Sequence, residues 1–249
     1  MGTGITARGL GVRFQFDSQR RPVSPTIARL RRHVTEAWGV RDITLEMSSG
    51  EGVALIGPTG AGKTTLLRAI AGVMPVDAGE LSVRGRIGSM LSIDAGLVET
   101  LTGRENAAML AVLAGLDRTQ ARGALEGIKE LSGLGDAFDR PASSYSQGMR
   151  ARLGFAAVDS ANPQVVVLDE VHEAVDHSFR AVLECRVTEV RDAGGIVIAA
   201  GHDHDILGRL CDRGVLMDAG GVAADGRFAE VSAAYLADDL PAGGSDARG

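Results

Sequence analysis

The stretch VALIGPTGAGKTTLLRAI, residues 53–70, decides the fold. Val53, Ala54, Leu55 and Ile56 form an unbroken apolar run, and Leu66, Leu67, Ala69 and Ile70 recur at helical spacing, so the segment reads as buried strand, loop and helix. Between them Gly57, Gly62, Lys63 and Thr64 fill the defining places of GxxxxGK[ST]. Gly57, Gly60 and Gly62 let the backbone bend around an anion with no Cβ in the way, so that successive N–H groups point at phosphate oxygens. The start of the following helix adds free donors and its dipole. The pattern implies a nucleotide triphosphate cradled by Pro58, Thr59, Gly60, Ala61 and Thr65, with Lys63 on the β and γ phosphates and the Thr64 hydroxyl on Mg²⁺. Lys63 is one of only two lysines in the chain.

The 249 residues, 45% hydrophobic, suffice for one large α/β domain or two small ones. A net charge of −6 gives no long-range pull toward nucleic acid, and no nucleic-acid partner is expected. Cys185 and Cys211 have no zinc-like spacing and read as ordinary buried thiols of a reducing compartment. Residues 1–10 do not resemble a signal peptide, and no apolar run approaches the roughly 18 residues that span a bilayer.

Working outward, residues 5–14 alternate as a short strand, and residues 15–35, with Pro22, Pro25, Arg29, Arg31 and Arg32, read as a loop leading into a basic helix. That arginine-rich segment is either a solvated face or a contact for anionic headgroups or a partner protein. A second strand follows at 41–47, and residues 81–91 read as a hairpin-like run. Residues from about 94 to 158 form a helical insert, opened by Thr102 and Glu105 at capping-box spacing. Continuous apolar runs at 165–168 and 196–200 suit strands buried on both faces of a mainly parallel sheet. Short strands are expected at 215–217 and 222–224, and the tail 238–249 reads as disordered beyond a single unit of residues 1–237.

Asp169 and Glu170 follow one of these runs and so leave a strand at its carboxyl end, where open α/β sheets place their ligand chemistry. An aspartate there can hold Mg²⁺, and a neighbouring glutamate can polarise a water toward the γ phosphate. Between this pair and the phosphate loop lies YSQGMRARLGFA, residues 145–156, in which Ser146, Gln147, Gly148 and Met149 precede an apolar helical pattern.

With that order of motifs the chain resembles the ATP-binding subunits of ABC transporters over residues 5–230. The resemblance implies an α/β fold: a P-loop NTPase (RecA-like) core with an antiparallel β subdomain and a helical ABC-specific subdomain. It implies that Ser146 to Met149 close over the ATP of a partner subunit, that Asp176, six residues after Glu170, touches the dimer interface, and that His202 contacts the γ phosphate. His204, its neighbour, reads as an exposed loop histidine. Trp38 stands where the family presents an aromatic ring to adenine. LTGREN at 101–106, YSQGM at 145–149 and DEV at 169–171 resemble the polysaccharide-export branch. The implied protein is therefore an ATPase homodimer with ATP and Mg²⁺, attached to two copies of a separate permease at the cytoplasmic face of the inner membrane. Its implied cargo is a lipid-linked O-antigen, galactan or teichoic-acid-like glycan. A drug or small-lipid exporter, a non-transport ABC ATPase and a nucleotide sensor remain as alternatives. The chain departs from the family at the loop glutamine, where Ser92, Ile93 and Asp94 stand, at Gly201 before the switch histidine, and at His172 and Glu173.

Overall fold

In a computed structural model, residues 2–17, 34–92, 96–170 and 176–237 are described. The expectations for the arginine-rich stretch from 18 to 33, for Ile93 and Asp94, for His172 and Glu173, and for the tail 238–249 lie outside the described residues.

Three strands, β1 (Gly4–Asp17), β2 (Val34–Ser48) and β4 (Ala78–Arg84), form an antiparallel sheet in the order β2-β1-β4. Six others, β3 (Gly52–Ile56), β5 (Ile87–Met90), β6 (Val165–Asp169), β7 (Ile196–Ala200), β8 (Arg213–Asp218) and β9 (Gly221–Arg227), form a second sheet in the order β5-β6-β7-β3-β8-β9. All neighbours in it are parallel except β8 and β9.

The two faces of the parallel sheet account for its apolar runs. Val53 and Leu55, Val165 and Val167, and Ile196 and Ile198 point into a core shared with α1 (Lys63–Ile70) and the antiparallel sheet. Ala54 and Ile56, Val166 and Leu168, and Val197 and Ala199 point the other way, against α5 (His177–Asp192), α6 (His204–Leu210) and α7 (Phe228–Leu236). Every residue of β3, β6 and β7 is buried, and the one polar residue in these strands is Asp169, the last of β6.

Between β5 and β6 the chain makes α2 (Gly103–Leu113), α3 (Arg118–Ser132) and α4 (Gln147–Asp159), which share a third core around Leu110, Ile128, Phe138 and Leu153. The capping box expected at Thr102 and Glu105 is present, and Asp117 with Gln120 makes another at the start of α3.

The hairpin expected at 81–91 is not formed. β4 pairs with β1 and β5 with β6, so the two strands belong to different sheets. The chain crosses at Gly85, whose φ of +130° a side chain rarely adopts and where a Cβ would lie 3.1 Å from Gln164 Cβ. Arg86 then ties the crossing down: its N–H donates to Gln164 Oε1 and its carbonyl accepts from Gln164 and Val165. β1 also runs three residues past the expected end at 14, and Trp38 lies within β2 rather than ahead of it.

Candidate nucleotide site

Chain segments far apart in sequence meet at the carboxyl ends of β3, β6 and β7 because these strands are neighbours in the sheet. The loop leaving β3 is held in shape by conformations that exclude side chains. Gly57 has φ +136° and a Cβ there would fall 2.1 Å from Met217 O, while at Gly62, φ +101°, it would fall 2.5 Å from Gly39 O. Gly60, the third glycine expected to clear space for the anion, differs from both. A Cβ at Gly60 would meet nothing within 4 Å, so within this chain the position is open, and its φ of +85° is what calls for glycine there. The loop is thus clasped at its two ends between β2 and the β8–β9 turn, through Gly220 N to Ala61 O at 3.1 Å and Arg41 N to Gly220 O at 2.9 Å. These bracing residues, Gly39, Met217 and Gly220, carry no local motif and are invisible to sequence reading.

Lys63 folds back over the loop and donates to Gly57 O at 2.7 Å and Pro58 O at 3.0 Å. Burial pushes its pKa below the ordinary lysine value, with Glu170 and Asp169 pulling the other way. Thr64, the next residue, donates its hydroxyl to Asp169. The Asp169 carboxyl is buried, and that burial raises its pKa above the usual carboxylate range, aided by Glu170 and opposed by Thr64, Arg68 and Lys63. A hydroxyl and a carboxylate oxygen in contact are hard donors of the kind Mg²⁺ takes when substrate phosphates supply further ligands. The donor set fits that ion.

Glu170 differs from its neighbour. Its backbone turns to φ +58°, a left-handed conformation uncommon for a residue with a side chain, while its N–H still donates to Ala200 O at 2.8 Å. Its carboxylate stands in the open, 3.3 Å from Nε2 of His202. The expected pair of Glu170 and His202 is therefore brought together beside Lys63, Thr64 and Asp169.

His204 is not the exposed loop histidine expected from sequence. It opens α6, half-buried, with Nδ1 2.6 Å from Ser232 Oγ and its ring stacked on Tyr235 at 5.7 Å. Cys185 is likewise exposed on α5 rather than buried, whereas Cys211 is buried and its thiol is pushed up to about 12 by burial.

Ser146 is the N-cap of α4, its Oγ accepting from Met149 N at 3.2 Å. Its hydroxyl proton is still available to a further acceptor. Asp176 caps α5 in the same manner, accepting from Phe179 N at 3.0 Å, and lies 3.7 Å from Arg152 of the signature helix. Neither position lies in the group formed by Lys63, Thr64, Asp169, Glu170 and His202.

Trp38 is 40% exposed and so is not a core residue. Its ring covers Gly11, where a Cβ would lie 2.6 Å from Cζ3, and Arg13 and Arg41 sit 5.3 and 5.7 Å from its centroid. Phe14 and Thr65 of the phosphate-loop helix both approach Gly39, where a Cβ would meet Phe14 Cε2 at 2.4 Å and Thr65 Cγ2 at 3.0 Å.

A largely parallel sheet with a glycine loop, a buried lysine and a buried aspartate near it, and a hydroxyl at the helix start defines a P-loop nucleotide-binding protein. The profile described as ABC transporter matches residues 40–173. The chain belongs to the ABC transporter family. It is 32% identical over 218 residues to the teichoic acids export ATP-binding protein TagH of Lactococcus lactis, covering 88% of this chain and 47% of that one. It is 38% identical over 179 residues to the O-antigen export system ATP-binding protein RfbB of Klebsiella pneumoniae, covering 72% and 73%. The chain thus spans about half the length of the first of these relatives and about three quarters of the second. Among solved structures, the dimeric post-hydrolysis state of the ATP-binding cassette MJ0796 bound to ADP and Pi superposes with a TM-score of 0.72 at 17% identity, covering 90% of this chain and 98% of that one. No helix among the described residues is long and apolar enough to cross a membrane.

Proposed function

We propose that this protein is the ATP-hydrolysing subunit of an exporter for a lipid-linked polysaccharide. It works as a homodimer attached to a separate permease at the cytoplasmic face of the membrane. The observation that carries the reading is the meeting of Lys63, Thr64, Asp169, Glu170 and His202 at one edge of the sheet. The likeness to the teichoic-acid and O-antigen export proteins supports the cargo class.

In this reading Lys63 and the loop N–H groups at residues 59–65 bind the phosphate tail, with the open side of Gly60 leaving room for it, and Thr64 with Asp169 holds Mg²⁺. The metal supplies charge stabilisation to the transferring phosphoryl group. The exposed Glu170 carboxylate orients water and accepts its proton. His202, held beside Glu170, steadies that carboxylate and donates toward the γ phosphate. Ser146, with the N-terminal N–H groups of its helix through Gln147, Gly148 and Met149, completes the site of the partner subunit, and Asp176 lies along the same interface. The base-facing aromatic role moves in this proposal from Trp38 to Phe14, which is supported by the approach of both Phe14 and Thr65 to Gly39.

Glu170→Gln tests the assignment, because it removes the proton acceptor and preserves shape. ATP turnover of the chain should fall by about 10²-fold or more, while ATP is still bound and a nucleotide-held dimer accumulates on size exclusion. Turnover at the wild-type rate in that variant would refute the role of Glu170.

A further inference from the structure

The segment that leads into α2 is bonded at alternate residues, Glu99, Leu101 and Gly103, to the segment that leads into the signature, Ser146 to Met149, and α4. Glu99 O accepts from Ser143 N at 2.9 Å, Leu101 O from Ala142 N at 2.8 Å, and Arg140 O from Gly103 N at 3.1 Å. Tyr145 donates its hydroxyl to Ala137 O at 2.6 Å and passes over Gly103, where a Cβ would lie 2.0 Å from the phenol oxygen. One side-chain contact reaches past this ladder into the signature helix itself: Arg150 donates from Nη2 to Glu99 Oε1 at 2.9 Å.

The position of Arg150 gives that contact its meaning. Its N–H donates to Ser146 O at 3.0 Å, closing the first turn of α4, so whatever holds Arg150 holds the turn that presents Ser146. The guanidinium is 17% exposed, whereas Glu99 is 63% exposed. Glu99 grips the signature region twice, through its carbonyl before Ser146 and through its carboxylate after it. The same segment begins at β5, which pairs with β6, the strand that ends in Asp169.

We propose that Glu99 is a positioning residue. It fixes the orientation of the first turn of α4, and so sets where Ser146 and the helix N–H groups meet the nucleotide of the other subunit. This rests on the reading of Ser146 to Met149 given above. Glu99 stands largely in solvent, so changing it should leave the melting temperature in place, whereas a carboxylate set at the largely buried Arg150 position costs stability. A displaced donor, in contrast, costs heavily in rate: misplacement on the ångström scale lowers turnover by about tenfold or more.

The test compares Glu99→Arg, Arg150→Glu, the double exchange, and Ser146→Arg in the full chain. The readouts are ATP hydrolysis, ATP-driven dimerisation in a Glu170→Gln background, ATP affinity of the monomer, and thermal melting. Glu99→Arg and Arg150→Glu should each lower turnover about tenfold and weaken the ATP-driven dimer with monomer affinity unchanged, Glu99→Arg with no change in melting, and the double exchange should recover to within about threefold of wild type. Single exchanges that keep full turnover while Ser146→Arg loses it would overturn the brace and leave the functional reading standing. A double exchange that fails to recover, or a Glu99→Arg variant that loses melting temperature and activity together, would reduce Glu99 to a structural contact and overturn the proposal. Full turnover in Ser146→Arg would remove the signature role, and the proposal with it.

Discussion

Asn106 ties the segment before α2 to the helix that opens the helical layer. It is fully buried, and its amide is bonded on both sides. Oδ1 accepts from Val98 N at 2.8 Å, and Nδ2 donates to Val98 O, Leu101 O and Thr102 O at 3.0, 3.2 and 2.9 Å. In Asn106→Ala the three carbonyls keep other donors, from Leu101 N, Ala142 N and residue 106 N respectively. Val98 N loses the partner that Oδ1 provides. Two to three net hydrogen bonds at about 1 kcal/mol each, with the partial cost of one orphaned donor, give a loss of about 3 kcal/mol. For a chain of this size that corresponds to a fall in Tm of about 6–12 °C, measurable by circular dichroism without nucleotide. Asn106→Asp sharpens the case: it keeps the acceptor for Val98 N but sets a carboxylate against three carbonyl oxygens. Burial and those oxygens raise its folded pKa, so its stability should be present at low pH and lost as pH rises through that value. An alanine variant that loses under about 1 kcal/mol, or an aspartate variant with no dependence on pH, would refute this account of the bonding.

Phe14→Ala should weaken ATP binding by about 5–20-fold through loss of a stacking surface, whereas Trp38→Ala should change it by less than about threefold; the reverse order, by calorimetric titration, would return the base to Trp38. His204 has its pKa lowered, chiefly by burial and then by His202, against the pull of Asp203 and Asp205. A lowered folded value means that the unfolded chain takes up the proton first, so stability is full above the ordinary histidine pKa and is lost as pH falls through the folded value. Urea midpoints between pH 8 and pH 5 should decline in wild type and flatten in His204→Gln, and an unchanged slope would remove His204 as the titrating group.

What could be read from the sequence is what depends on local order. The phosphate loop is contiguous, so its spacing states its geometry. The two-sided burial of β3, β6 and β7 erases polar positions and leaves unbroken apolar runs, and the cap at Thr102 needs only four residues to show itself. The division of residues 78–90 between two sheets is different. β4 and β5 are both short, and their partners, Gly4 to Gly11 and Val165 to Leu168, lie far from them on either side in the sequence, so nothing local separates them from a hairpin. The faces that Phe14 and Trp38 take are hidden in the same way. Register shifts between β1 and β2 at Ala7, Leu10 and Val12 decide which face each ring takes, and one inserted residue reverses every face beyond it.

Asp169 and Glu170 show how far such locality extends. The dipeptide offers two carboxylates of equal chemistry, and a strand continued through both would simply place them on opposite faces. The structure divides them by one dihedral. Asp169 completes β6 and stays buried beside Thr64 and Lys63, the side to which the proposal gives metal and phosphate. At Glu170 the chain leaves the strand in a left-handed conformation that costs on the order of 1 kcal/mol, held by the bond from its N–H to Ala200 O. That turn brings the second carboxylate out to His202, where water can reach it. The strain is sustained by β7, which supplies Ala200 and then, two residues on, His202 itself. A single strand end therefore both forces the turn and provides the group it turns toward, and this is why two adjacent acids can take different chemical roles.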